Sequence, residues 1–154
     1  MTDHDHSAEI STLNTLIATT IDSITGYENS AKDVDAERFA EIFRQRASER
    51  QQIVEDLRGE VRRLGGNPED DGSLLGKTHQ RFEDLKAAIT GGDDKSIINE
   101  VERGEDYLKE KFETALSSDT LSGETRSLVE RCYQSVRSGH DQMSQLKHGL
   151  ETHA

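Results

Sequence analysis

The sequence predicts an all-α fold: an up-down four-helix bundle with a short crossover helix between the second and third bundle helices. Three observations lead there. Apolar residues recur at three-and-four spacing in five segments, the interval that sets them on one face of a helix. The 154 residues include 1 Pro and only 5% aromatics, too little turn and strand chemistry for a β-sandwich or barrel. Only 31% are hydrophobic, with 19 Lys+Arg against 31 Asp+Glu and a formal charge of -12. A chain so poor in apolar residues must place nearly all of them on inward stripes.

Residues 1–8 are expected to be a disordered tail and 9–150 a single helical domain. The first segment, residues 9–31, carries Ile10, Leu13, Ile17, Ile21, Ile24 and Tyr27. The second opens with Asp35 as its expected N-cap. Its stripe is Phe39, Ile42, Phe43, Ala47, Ile53, Val54, Leu57, Val61 and Leu64, and it stops at Gly65-Gly66-Asn67-Pro68. Glycine there permits the left-handed C-terminal conformation, and proline forbids continuation. After an acidic linker comes a shorter segment, residues 73–89, with Leu74, Leu75, Phe82, Leu85 and Ile89, ended by Gly91-Gly92. Asp93 or Asp94 caps the next segment, with Ile97, Ile98, Val101, Leu108, Phe112 and Leu116. Ser122 is the expected cap of the last, which holds Leu128, Val129, Cys132, Tyr133, Val136, Met143, Leu146 and Leu150. At 1.5 Å per residue the four long segments can span a common core of about 30 Å, which leaves 73–89 as the crossover.

Charge and composition exclude several classes. A strongly acidic surface repels phosphate backbones and anionic lipid, so no nucleic-acid or membrane partner is expected. No run of about 18 apolar residues occurs, the N-terminus lacks the basic and apolar regions of a signal peptide, and a cytoplasmic location is expected. Cys132 has no second cysteine to pair with and reads as a small buried apolar residue. No phosphate loop, nucleophile elbow or paired metal-binding cysteines occur.

The strings Glu60-Val61-Arg62-Arg63-Leu64-Gly65-Gly66-Asn67-Pro68, Asp84-Leu85-Lys86-Ala87-Ala88-Ile89-Thr90-Gly91-Gly92-Asp93-Asp94 and Glu102-Arg103-Gly104-Glu105-Asp106 occur in that order, with Leu13-Asn14 and Gly26-Tyr27 before them. Together they resemble a bacterial family of ferritin-like four-helix-bundle proteins that carries a domain of unknown function, over residues 9–150. The resemblance implies a ferritin-like bundle, distantly similar to rubrerythrins and bacterioferritins, which often hold two iron or manganese ions among their helices. It implies no activity, because the family is uncharacterised.

Such a site needs a Glu on each of two helices and a Glu-x-x-His pair on each of the other two. This chain contains no Glu-x-x-His. The second segment offers Glu49-Arg50-Gln51-Gln52, with an amide where imidazole is required, and in the last segment His140 follows Arg137 rather than a glutamate. The first segment offers Thr20, with Asp22 at a neighbouring angle and Glu28 near its end.

Each stripe extended through its interruption names the polar residue expected to face inward. Arg50 lies three residues after Ala47 and three before Ile53; Glu105 lies four after Val101 and three before Leu108; His140 lies four after Val136 and three before Met143; Thr20 lies three after Ile17 and four before Ile24. All four fall mid-helix, so a buried polar layer is expected in which Arg50 pairs with Glu105, and His140, Thr20 and Tyr27 complete the hydrogen bonds. An unpaired charge there would cost several kcal/mol. A fixed guanidinium also repels a divalent cation by at least about 1 kcal/mol even under strong screening.

Two other readings stand beside this one. Arg50 can snorkel to solvent, and a one-residue shift, about 100°, would turn Glu105 outward and Gly104 inward. Alternatively Glu49, Glu102, Glu105 and His140 supply a degenerate metal site. Weaker signals are His79 with Glu83 four residues on, His4 and His6 between Asp3 and Asp5, and Gly104, whose missing side chain suits a close helix approach. The expected function is a structural or interaction protein, stress-associated as ferritin-like relatives often are, with no cofactor; a homodimer and an unidentified protein partner are the expected associations. The alternative is a di-iron or manganese oxidase, or an iron-handling protein.

Overall fold

The computed structural model describes residues 6–69 and 93–152, which form four helices: α1 (Ser7–Asp33), α2 (Glu37–Arg63), α3 (Asp94–Ser117) and α4 (Gly123–Thr152). They correspond to the four long apolar stripes, and no strand occurs among the described residues. The crossover helix expected over 73–89 lies outside them, as do His4, His79 and Glu83.

Hydrogen bonds between distant residues set the helix directions. At one end the Asp94 carboxylate accepts the backbone N–H of Asp35 at 2.8 Å and of Ala36 at 3.0 Å, bringing the start of α3 beside the start of α2. At the other end the Asn14 side chain donates to the Asn67 carbonyl at 3.1 Å and accepts the Glu69 N–H at 2.8 Å. Glu9 there accepts the Ser122 N–H at 3.2 Å, so α1 and α4 start together. The directions are therefore up, down, down, up, and simple alternation fails between α2 and α3. Around the bundle α1 neighbours α2 and α3, and α4 neighbours the same two, which puts α2 and α3 on a diagonal. The chain leaves α2 at one end of the bundle and enters α3 at the other.

The helix ends differ from expectation in one informative place. Asp35 does not cap α2; the N-cap is Ala36, which makes no side-chain bond. Asp94 does this work from across the bundle, one carboxylate accepting two N–H groups next to the positive end of the α2 dipole. Asp93 caps α3 through the Ser96 N–H at 2.9 Å, a bond that holds its carboxyl below the usual range. At the end of α2, Gly65 has φ 90° and the N–H groups of Gly65 and Gly66 turn back to the carbonyls of Arg62 and Val61, a Schellman closure. A Cβ on Gly66 would stand 2.8 Å from the Ile10 side chain, so glycine lets this turn close onto α1.

The core is the inward side of four amphipathic helices: Leu13, Leu16 and Ile17 from α1, Phe43, Val54 and Leu57 from α2, Ile98, Leu108 and Phe112 from α3, and Val129, Val136 and Met143 from α4. Stripe residues such as Ile21, Ile42, Val101, Tyr133 and Leu146 lie half-buried at its margin. Cys132 is buried, and desolvation pushes its thiol up to about 12. Thiolate, the nucleophile, is then scarce at neutral pH. Labelling of the native protein by a thiol reagent at pH 7.5 is expected to be at least about 100-fold slower than in 6 M guanidinium chloride, where the thiol titrates near its ordinary value; comparable rates would place Cys132 at the surface.

Candidate functional site

Halfway along the bundle, the apolar layers give way to a polar one. Arg50 is the central residue of α2 and is fully buried. Its Nη1 donates to Glu105 Oε1 at 2.7 Å and its Nη2 to Glu105 Oε2 at 2.8 Å, a bidentate pair across the α2–α3 diagonal. The two side chains are 0% and 1% exposed, so water screens neither. Nη1 donates also to Ser23 Oγ at 2.9 Å. The guanidinium carbon lies 5.7 Å from the centre of the Tyr27 ring, which itself meets the Phe43 ring at 5.8 Å.

Burial alone favours loss of the Arg50 proton, but the charge and hydrogen bonds of Glu105 outweigh it and hold the pKa above the ordinary arginine range. Burial, and then the negative charge of Glu105, push the Tyr27 phenol well above its usual 10.0, so it stays neutral. The Tyr27 hydroxyl and Arg50 Nε are buried without a partner of hydrogen-bonding geometry. Thr20, fully buried at the same level, turns its hydroxyl back to the Leu16 carbonyl at 2.7 Å and does not reach the pair.

His140 is not in this layer. Its Nε2 is 2.6 Å from Asp106 Oδ1 and its Nδ1 3.3 Å from Asp141 Oδ1, on the outer seam between α3 and α4. The inward position on α4 belongs to Gly139, one residue earlier. A Cβ there would overlap Arg50 Nη2 and stand 2.8 Å from Glu105 Oε2. Gly139 is three residues after Val136 and four before Met143, an interval that fits the stripe as well as that of His140 does, and its lack of a side chain makes room for the ion pair. Ser23, three residues after Thr20 and four before Tyr27, could likewise have been read from the sequence.

The expected metal ligands do not converge. Glu49 is exposed and accepts from Arg46 Nη1 at 2.6 Å. Glu102 accepts from Lys147 Nζ at 3.0 Å, and His140 faces Asp106. Glu105 alone lies in the core, with both oxygens on a guanidinium. Among the described residues no group of three or more His, Cys, Asp or Glu is placed to hold a metal ion. Among the described residues, Glu49, Glu102, Glu105 and His140 are each turned to a different partner.

A second polar cluster ties α2 to α4 near the end where α4 begins. Glu60 accepts from Thr125 Oγ1 at 2.6 Å and from Arg63 Nε at 3.0 Å. The bond from Arg63 lowers its pKa below the usual 4.5, with Thr125 adding to the effect. A carboxylate whose folded pKa is depressed contributes stability that is present above its unfolded value and lost as pH falls through the folded one. Glu60→Gln is therefore expected to cost unfolding free energy at pH 7 and progressively less below about pH 4, measured by urea unfolding across pH; a cost independent of pH would contradict the ionic role.

Among the described residues no helix is long and apolar enough to cross a membrane. A search of curated proteins finds no match. The profile of the domain of unknown function DUF2383 matches residues 8–118, a stretch that includes both Arg50 and Glu105 and stops short of Gly139. With well over half of its length matched, including α2, α3 and all of α1 but its first residue, the chain belongs to the DUF2383 family.

Proposed function

We propose that this protein is a ferritin-like bundle without a working di-metal site, acting as a structural or interaction protein, in a stress-associated setting if it follows its ferritin-like relatives. The observation that carries the reading is the buried Arg50–Glu105 pair. It sets a permanent cation of the protein's own mid-bundle, at the level where ferritin-like proteins gather carboxylates and imidazoles around metal ions, and it uses both oxygens of Glu105. A divalent ion brought there would meet Coulomb repulsion in a medium that screens weakly, and a carboxylate already neutralised. The ferritin-like assignment draws support from the up, down, down, up order, which a bundle with one long crossover connection has; residues 73–89 have the amphipathic pattern of such a crossover.

Elemental analysis of protein purified without chelator, followed by an Fe(II)-dependent oxygen-uptake assay, tests the proposal. Iron and manganese well below stoichiometric after dialysis, with oxygen uptake at the rate of free Fe(II), are expected. Stoichiometric metal retained through dialysis, or accelerated uptake, would overturn it in favour of the oxidase or iron-handling reading.

A further inference from the structure

Of the four seams between neighbouring helices, the one between α2 and α4 is the most sparsely packed. It opens into a groove of about 450 Å³ lined by Arg46, Gln134, Arg137, Ser138, Gln142 and Gln145, with Asp141 on its wall. We propose that this groove binds a small phosphate-bearing ligand, with Arg46 and Arg137 as the anion-holding pair.

The inference rests on how the two arginines are disposed. In a chain of charge -12, the buried and half-buried arginines have carboxylate partners: Arg50 pairs with Glu105, Arg46 with Glu49, Arg58 with Glu55 and Arg126 with Glu130. Arg137, exposed on the groove, makes no side-chain hydrogen bond or ion pair among the described residues, as is true of the exposed Arg38, Arg62 and Arg131, but of these four it alone lines the groove. Arg46 is held from two sides, its Nε donating to Gln142 Oε1 at 2.8 Å and its Nη1 to Glu49, so that its side chain is only 12% exposed. Nη2 is the terminal nitrogen left over. A guanidinium fixed in this way loses little further freedom on meeting an oxyanion, and its fork suits bidentate contact with phosphate. Arg46 Cδ lies 3.5 Å from where a Gly139 Cβ would stand.

The remaining lining suits a phosphate ester better than a bare ion. Three glutamine amides and the Ser138 hydroxyl both donate and accept, and can meet hydroxyl or carbonyl groups on the organic part. Asp141 repels an anion, but it also offers an acceptor to a ligand hydroxyl; His140 Nδ1 lies 3.3 Å from it and restrains it. At physiological ionic strength the Debye length is about 8 Å, so acids on distant faces are screened from the groove, and Glu49 and Asp141 are the carboxylates that the two guanidinium groups must offset there.

The test is a 15N-HSQC titration of the full chain with inorganic phosphate, then with glycerol 3-phosphate, at constant ionic strength maintained with chloride. Saturable shifts confined to Arg46, Gln134, Arg137, Ser138, Gln142 and Gln145 are expected at about millimolar phosphate, roughly 4 kcal/mol of binding, with tighter saturation by the ester. Arg137→Gln, an exposed change that leaves the fold intact, is expected to raise the apparent Kd at least about 10-fold, or 1.4 kcal/mol. Shifts that are absent, non-saturating, spread over the surface, or unaltered by R137Q would overturn the proposal. None of these outcomes depends on whether the core holds a metal, so the two readings fail separately.

Discussion

Arg50→Met is expected to cost about 3–5 kcal/mol of unfolding free energy, because it leaves the Glu105 carboxylate buried without a counter-charge. Glu105→Leu is expected to cost a similar amount by stranding the guanidinium. The double variant, Arg50→Met with Glu105→Leu, is expected to recover most of that loss or to exceed the parent, since two apolar side chains of comparable volume need no desolvation repaid. Urea unfolding of the four proteins closes the cycle. A coupling energy of several kcal/mol is expected, with the m-value unchanged if the native state remains compact. Near-additive losses, or single substitutions without effect, would mean that the pair is solvated. Arg50→Lys separates charge from geometry: an ammonium keeps the charge but cannot make the paired bonds to Oε1 and Oε2 or reach Ser23 from the same fork. It is expected to fall between the parent and Arg50→Met.

Gly139→Ala is expected to destabilise the protein by about 1–3 kcal/mol, opposite in sign to the usual result. Alanine in a helix interior is favoured over glycine by nearly 1 kcal/mol on propensity alone. At this position the added methyl would overlap Arg50 Nη2 and approach Glu105 Oε2, atoms held by two hydrogen bonds inside the core. Gly59→Ala and Gly149→Ala provide the controls: both positions are helical with nothing within 4 Å of the added Cβ, so both substitutions are expected to raise the melting temperature. If all three behave alike, steric conflict with the ion pair is not what selects glycine at 139. In the Arg50→Met, Glu105→Leu background the Gly139→Ala penalty is expected to change, because the atoms it meets have been replaced.

The sequence carried the inward direction of Arg50 and Glu105 because each stands at an interval of three or four from apolar residues on both sides, and charge at two such positions of opposite sign is self-consistent. The same interval is ambiguous by one residue on α4. Both 139 and 140 satisfy it, and attention to chemistry favours the histidine although the space needed by a guanidinium favours the glycine. Helix ends were legible where the bonds are local, at Asp93 and at Gly65-Gly66. They were not legible at the start of α2, where the cap comes from Asp94, 59 residues away from Asp35. Partners for Glu102 and His140 belong to the same class of information, since whether such a side chain faces a metal, a lysine or water depends on which helix stands beside it; Glu49 pairs locally, with Arg46 three residues back on its own helix.

The Arg50–Glu105 pair joins the midpoints of α2 and α3. Aliphatic stripes meet similar neighbours every turn, so a bundle held only by leucine, isoleucine and valine has several nearly equivalent settings of one helix along another. Sliding α3 by a single turn moves Glu105 by about 5.4 Å, beyond any hydrogen bond to the guanidinium. The pair therefore works as an index mark that identifies one axial alignment among many of similar hydrophobic content, a role that consumes stability rather than adding to it.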